Sequence, residues 1–456
     1  MYDVVVRGGR VVNAAGQGDA DVAVEEGRIV QIGGAMQGRR EIDATGCLVL
    51  PGGVDPHTHL TPPPAPDGGP TWVDDFASGT RAAVAGGITT IGSMVFGRYP
   101  HLPETLAGVE AQVRSQAVAD VFLHPVVADP AEDGPAVAGQ LADAGYRTLK
   151  MFMVSPSFDR AGGAVVETMR AAAARGMLVL LHPEDNTIVE AAGRALMAAG
   201  RGDLRHYGES RPIEAEIIAV ERACALAQAS GAPVYLVHVS SGVAVAAAAR
   251  ARAAGVPVYV ETRPLYLHLS AERMLEPDGP KYVGEPPLRA ATEVEAMWRA
   301  VAAGDVHTLG SDHAPWDLAA KLDPALNVEN LRPGVANLEW ELPMLYSEGV
   351  RAGRISLERM VEVMSTNAAK LFGLYPRKGA VAVGADADLV VFDPQARRVV
   401  GPPYFTRAGY SVFDGFEVTG WPRLTLVGGR VAFEEGRVTA EAGSGRIVRT
   451  ADHRPL

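Results

Sequence analysis

Between about residue 51 and residue 375 the chain repeats one pattern. An alanine-rich helical stretch is followed by a short, nearly all-apolar run. Residues 75–85 lead into Gly87-Ile-Thr-Thr-Ile-Gly, and residues 138–145 into Thr148-Leu-Lys-Met-Phe-Met. Residues 167–175 lead into Met177-Leu-Val-Leu-Leu-His182, and residues 213–230 into Pro233-Val-Tyr-Leu-Val-His238. Residues 243–254 lead into Val256-Pro-Val-Tyr-Val-Glu261, and residues 293–303 into His307-Thr-Leu-Gly-Ser-Asp312. A strand that is apolar at every position is buried on both faces, so these units predict a parallel sheet covered by helices. This many units in succession predict a closed (β/α)8 TIM barrel, an α/β fold whose chemistry sits at the C-terminal ends of its strands.

The chain ends read differently. Tyr2-Asp-Val-Val-Val-Arg, Gly9-Arg-Val-Val-Asn and a hairpin around Glu26-Gly27 are short strands with tight turns. The same texture returns in Asp388-Leu-Val-Val-Phe-Asp and in the strands after Leu424. The expectation is a small β-sandwich domain built from residues 1–50 and 376–440. The barrel would span 51–375, and 441–456 would form an extended tail. The segment 317–333 reads as a long loop, and 401–422 as a crossing loop.

With 456 residues the chain has room for a barrel and an appended domain. Its net charge of −12 argues against a nucleic-acid backbone as partner. No apolar run reaches membrane-spanning length, the N-terminal residues lack a signal-peptide core, and two cysteines give no disulfide framework. The expected location is cytoplasmic, and the expected assembly a homo-oligomer, a dimer or tetramer, with neither nucleic acid nor membrane as partner.

The polar residues that close the apolar runs carry the chemistry. In Pro51-Gly-Gly-Val-Asp-Pro-His-Thr-His-Leu60, His57 and His59 lie two apart on a strand and share a face, as two ligands of one metal ion must. Two polar residues on a half-exposed strand would look the same, so the other strand ends decide. His182 and His238 each close an apolar run, and Asp312 closes the last one. Asp312 is suited both to bind a metal and to accept a proton. Lys150 lies within an apolar strand, where a lysine either snorkels or is a desolvated amine with a depressed pKa. Such an amine reacts with carbon dioxide to a carbamate, which can bridge two metal ions. His101, His124, His206, His268, His307 and His453 lack a partner pattern and are expected to be structural. His313 adjoins Asp312 but faces the other way if the chain is extended there.

An HxH on the first strand, a strand-end lysine, two strand-end histidines and a late aspartate resemble the amidohydrolase superfamily. More narrowly, Gly79-Thr-Arg-Ala-Ala, Gly86-Gly-Ile-Thr-Thr, Tyr282-Val-Gly-Glu-Pro-Pro-Leu-Arg, Ser365-Thr-Asn-Ala-Ala-Lys-Leu-Phe-Gly, Lys378-Gly and Gly384-Ala-Asp-Ala-Asp-Leu-Val resemble the hydantoinase/dihydropyrimidinase group. The resemblance implies two divalent metal ions, a binuclear zinc site. His57, His59 and Asp312 would hold one ion, and His182 and His238 the other. Carboxylated Lys150 and a hydroxide would bridge them, with Asp312 as the catalytic proton carrier. It implies hydrolysis of a cyclic ureide to an N-carbamoyl acid. Allantoinase-type ring opening and a non-catalytic scaffold are the rival readings.

The pattern departs from the family where substrate should bind. Hydantoinases carry a carbonyl-polarising tyrosine five residues after the lysine, where this chain has Ser155. Their Ser-Pro-Pro-Leu-Arg is here Glu285-Pro-Pro-Leu-Arg, and their later Asn-Gly is Pro333-Gly334. Ser155, Glu285 and Asn337 are the expected substrate contacts. Met94, Phe96, Phe152 and Phe158 are the expected apolar walls, and the proline-rich loop 61–70 is expected to frame the mouth. Dihydroorotate is disfavoured, because Leu60-Thr-Pro follows the HxH in place of a carboxylate-binding arginine.

Overall fold

The computed structural model of the chain describes residues 1–61, 69–98 and 101–456. Among the described residues, eight parallel strands form the middle of the fold. In order they are Gly53–Thr58, Ile88–Val95, Asp120–Pro125, Thr148–Phe152, Leu178–His182, Val234–Leu236, Val258–Thr262 and Thr308–Leu309. The first three pair with one another, and the last five pair in sequence order. Parallel bridges join the two groups at both ends, Val126 to Lys150 on one side and Thr58 to His313 on the other. The strands therefore run on as a ring, as the (β/α)8 reading expects. Their residues are buried almost without exception, which is why the apolar runs lack alternation.

The helices between strands start where short polar side chains can satisfy free N–H groups. Asp75 and Ser78 form a reciprocal capping box at Phe76–Ala85. Asp185 caps Asn186–Ala198, and Ser241 caps Gly242–Ala253. None of the helices among the described residues is long and apolar enough to cross a membrane.

Strands from both chain ends pair beside the ring. Leu48–Pro51 lies between Arg10–Asn13 and Leu389–Val399 in a seven-stranded sheet. A four-stranded sheet of Arg28–Ile32, Val22–Glu25, Tyr2–Arg7 and Gly38–Asp43 faces it. One apolar core takes Val4, Val22 and Ile42 from the smaller sheet and Val49, Val391 and Leu424 from the larger. The hairpin turn falls at Glu26 and Gly27, both at positive φ (49° and 76°). Two-residue hairpin turns of that hand match the twist of the strands.

Two readings of connecting segments need correction. Residues 417–422 are not loop: they open the strand Glu417–Val427. Pro422 cannot donate to the ladder, and it sits at a register irregularity opposite Phe392, where a strand tolerates proline. The segment 317–333 contains a short helix, Leu318–Lys321, capped by Asp317.

The C-terminal stretch is extended and docked. Val121 N–H donates to Arg446 C=O, and Val448 N–H donates back to Val121 C=O, along the third barrel strand. Arg446 Nη2 also reaches Asp120 (2.6 Å) and Asp386 (3.1 Å). In the same cluster the buried Lys378 ammonium contacts Asp120 (2.5 Å), Asp386 (3.1 Å) and Asp388. Burial opposes its charge, but the three carboxylates outweigh burial and hold its pKa above the usual lysine value. The cluster joins the start of a barrel strand, the linker to the terminal sheets and the tail. Removing one partner of a buried ion pair costs about 3–5 kcal/mol, because the remaining charges stay desolvated. Lys378→Met is therefore expected to lower the thermal unfolding midpoint by several degrees, measured by circular dichroism at fixed scan rate. An unchanged midpoint would mean that the carboxylates take up protons at no cost.

Candidate metal centre

The barrel's C-terminal face gathers the residues that close its strands. His57 and His59 come from the first strand and the residue just beyond it, and Lys150 from the fourth strand. His182 ends the fifth, His238 follows the sixth, and Asp312 follows the eighth. All six line one pocket, together with Trp72, Phe96, Phe152, Glu285, Ala314, Pro333 and Gly334. His57 Nε2 lies 3.2 Å and His59 Nε2 2.9 Å from the same oxygen of Asp312. The His57 and His238 ring centres are 5.4 Å apart, and those of His182 and His238 are 4.5 Å apart.

Two of these residues have strained backbone. His238 (φ 43°) and Asp312 (φ 47°) lie in the left-handed region that non-glycine residues seldom occupy. Gly334 (φ 119°) meets a different demand. A Cβ there would sit 2.3 Å from the Ala314 carbonyl oxygen, so only glycine lets these backbones meet at the pocket wall.

Buried partners fix the side chains. Glu261 Oε1 accepts from His57 Nδ1 (2.8 Å) and from His238 N–H (2.8 Å), while Tyr235 donates to its Oε2 (2.8 Å). Asp55 accepts from the backbone N–H of His57 (2.9 Å) and of Ser311 (3.1 Å). Glu184 bonds His182 Nε2 (2.7 Å), and Arg211 holds Glu184 at 2.6 Å. Arg263 Nη1 lies 3.1 Å from Asp312 Oδ2.

The protonation states suit metal binding. Burial pushes the His57 pKa down to about 3 and that of His59 to about 4, which leaves neutral imidazoles at pH 7. Burial also opposes ionisation of Asp312, but Arg263 and His59 outweigh it and hold the carboxyl well below the usual range. Burial brings Lys150 down to about 7, close to half-neutral at neutral pH. Among the described residues its Nζ has no hydrogen-bond partner, and neither do the buried Nδ1 atoms of His59 and His238. Buried polar atoms are rarely left unpaired, so the Lys150 amine fits a group that carbamate formation would satisfy.

The expected substrate contacts divide. Glu285 lines the pocket. Ser155 does not: it caps the short helix Pro156–Arg160 and bonds Ser157 Oγ at 2.8 Å. A short side chain directly before a helix serves the helix's free N–H groups first. Asn337 is buried behind the wall, where its Nδ2 donates to Ser311 C=O (3.0 Å) and so braces the segment carrying Asp312. Of the expected apolar walls, Phe96 and Phe152 line the pocket. Met94 and Phe158 point into the barrel and helix cores instead. Residues 62–68 of the proline-rich loop lie outside the described residues. His313 bonds Asp74 (2.8 Å), and His124 bonds Thr148 (2.8 Å) and the Pro56 carbonyl (3.1 Å), both away from the pocket.

A family model described as the amidohydrolase family matches residues 48–432. The chain belongs to the amidohydrolase family. A D-hydantoinase of Geobacillus stearothermophilus is 36% identical over 464 residues, 99% of this chain and 97% of that one. A solved D-hydantoinase from Bacillus sp. AR9 superposes with a TM-score of 0.94 at 38% identity, covering 100% of both chains. A solved dihydropyrimidinase from Brevibacillus agri gives 0.93 at 35% identity, again over 100% of both. Amidohydrolases are metal-dependent, and His57, His59 and Asp312 have ligand atoms close enough together to hold one ion.

Sequence reasoning missed Glu261, Glu184, Arg211 and Arg263. Glu261 did leave a signal, since it closes an apolar strand as His182 does. Carboxylates that orient metal-binding histidines typically contribute 10–100-fold to metal affinity. Glu261→Gln is thus expected to weaken metal retention by about that factor, read as bound metal after dialysis against a chelator series. Equal retention would leave Glu261 a packing role only.

Proposed function

We propose that this chain is a cyclic amidohydrolase that opens a cyclic ureide, a hydantoin or dihydropyrimidine, to an N-carbamoyl acid. The observation that carries the reading is the convergence of four neutral or partnered imidazoles and Asp312 around the buried, unpaired Lys150 amine. The nearly full-length likeness to hydantoinases supports the substrate class. The donor set of histidines and carboxylate without thiolate suits two zinc ions. His57, His59 and Asp312 would hold one and His182 and His238 the other, and Lys150 as a carbamate would add oxygen ligands. Bound there, the ions would supply Lewis acidity and a nucleophile at neutral pH.

The chain's own groups do the rest. Asp312, kept ionised by Arg263 on its Oδ2, takes a proton from the attacking water and returns it to the leaving ring nitrogen. Glu261 and Glu184 keep His57 and His182 in fixed orientations. Trp72, Phe96 and Phe152 wall the pocket with aromatic rings, hold the ring substituent and exclude water.

The test is a panel of hydantoin, dihydrouracil, allantoin and dihydroorotate, with the N-carbamoyl product quantified. Hydantoins or dihydrouracils should open and dihydroorotate should not. Turnover of allantoin alone would replace this reading. Lys150→Ala is expected to lose metal and activity together, with partial rescue by a short carboxylic acid. Full metal and turnover in that variant would reduce Lys150 to packing.

Position 155 generates a further expectation. With serine there, no phenol from this segment polarises the scissile carbonyl, and loss of one such donor costs roughly 10²–10³ in rate. Turnover of unsubstituted hydantoin should be correspondingly slow, and Ser155→Tyr should raise it. Fast turnover that does not respond to Ser155→Tyr would show that another group serves the carbonyl.

A further inference from the structure

Apart from the candidate metal ligands, Glu285 is the only ionisable residue in the pocket lining among the described residues. It stands where the hydantoinase pattern has serine, so its carboxylate is an addition to the site. The surrounding chain holds it firmly. Tyr207 donates to the Gly284 carbonyl (2.9 Å) and Tyr266 to the Pro286 carbonyl (2.6 Å), one on each side of Glu285. Arg211 Nη2 binds Glu285 Oε1, and Arg211 is itself fixed by Glu184 (2.6 Å) and by Arg289, which donates to its carbonyl (2.7 Å).

Glu285 is nevertheless not used up. Among the described residues its carboxylate makes one hydrogen bond, through Oε1 to Arg211, which leaves Oε2 unspent, and 24% of its side chain is exposed. Arg211 is shared between two carboxylates, Glu285 and the wholly buried Glu184, and Glu184 also feels the Arg289 guanidinium. Nearby Lys321 does not close the gap, because its Nζ is spent on the carbonyls of Val283 (2.6 Å), Arg332 (2.8 Å) and Gly334 (3.0 Å). Glu285 therefore brings a carboxylate with one oxygen unspent to the same pocket that Trp72, Phe96 and Phe152 line.

Resting on the cyclic-ureide reading, we propose that Glu285 is a specificity residue. It selects rings whose substituent is an alkyl stem ending in a cationic amine or guanidinium. The stem would lie on the aromatic wall, which itself attracts a cation, and the cationic head would donate to Glu285 Oε2. A charge-assisted hydrogen bond of this kind corresponds to about a ten- to hundredfold preference. A substituent ending in a carboxylate meets like charge and is rejected.

The test compares hydantoins substituted at C5 with 4-aminobutyl, 3-guanidinopropyl, butyl and 2-carboxyethyl. Each is assayed with the metal-loaded wild-type enzyme, Glu285→Gln and Glu285→Ser. The readout is the kcat/KM ratio of aminobutyl to butyl within each protein, which cancels general damage to the site. The wild-type ratio is expected at about 10–100, falling to near 1 in both variants, while Glu285→Ser gains activity on the carboxyethyl ring relative to butyl. Turnover of butylhydantoin with no charge preference, or a preference unmoved by Glu285→Gln, would overturn the assignment and leave the hydrolase reading standing. No turnover of any ring would overturn both.

Discussion

The Glu261 carboxylate is the interaction on which the catalytic face depends. A carboxyl buried this deeply would ordinarily be neutral, and burial does raise its pKa to about 7. It remains in the barrel because its two oxygens serve three donors from two parts of the chain, His57 Nδ1 on the first strand and His238 N–H and Tyr235 Oη at the sixth. Through them it joins the first, sixth and seventh strands across the barrel interior. Fixing the Nδ1 side of His57 leaves Nε2 facing Asp312, so one buried acid sets both the tautomer and the direction of the imidazole.

The opposite end of the barrel is built on a different charge cluster. Lys378, Arg446 and Asp120, Asp386 and Asp388 satisfy one another at the N-terminal ends of the strands. The two clusters divide the work as TIM barrels generally do, with stability at one face and chemistry at the other. They also explain why so much ionisable material is tolerated in an apolar barrel. At the N-terminal end opposite charges neutralise each other, whereas at the C-terminal end several polar atoms, Lys150 Nζ among them, are left open.

What was legible in the sequence follows from the same division. A polar residue that ends or interrupts an otherwise apolar run stands out, and for that reason His182, His238 and Asp312 at run ends and Lys150 within one could be picked out as candidates. The Lys378-Gly and Gly384-Ala-Asp-Ala-Asp segments could be matched as a pattern, but their physical reason was not visible. It depends on Asp120 and Arg446, far away in sequence. Ser155 and Asn337 were misplaced because a position in a pattern says nothing of which way a side chain turns. One turned to a helix cap and the other to a backbone carbonyl. Glu417–Val427 was partly missed because proline and aromatic residues in its first half hid a strand whose bulge accommodates them. Glu184 and Arg211 lie on segments whose approach only the folded barrel creates.

The positive φ values of His238 and Asp312 connect these points. Conformations of that kind cost of the order of 1–3 kcal/mol each and persist only where the surroundings determine them. Here the surroundings are specific. His238 N–H is held by Glu261, while Asp312 is held by Arg263 and by the Asn337 brace on Ser311. Each turn swings a side chain off the line of its strand and into the pocket shared with His57 and His59. The convergence of these side chains thus rests on hydrogen bonds and ion pairs from the protein's own buried groups.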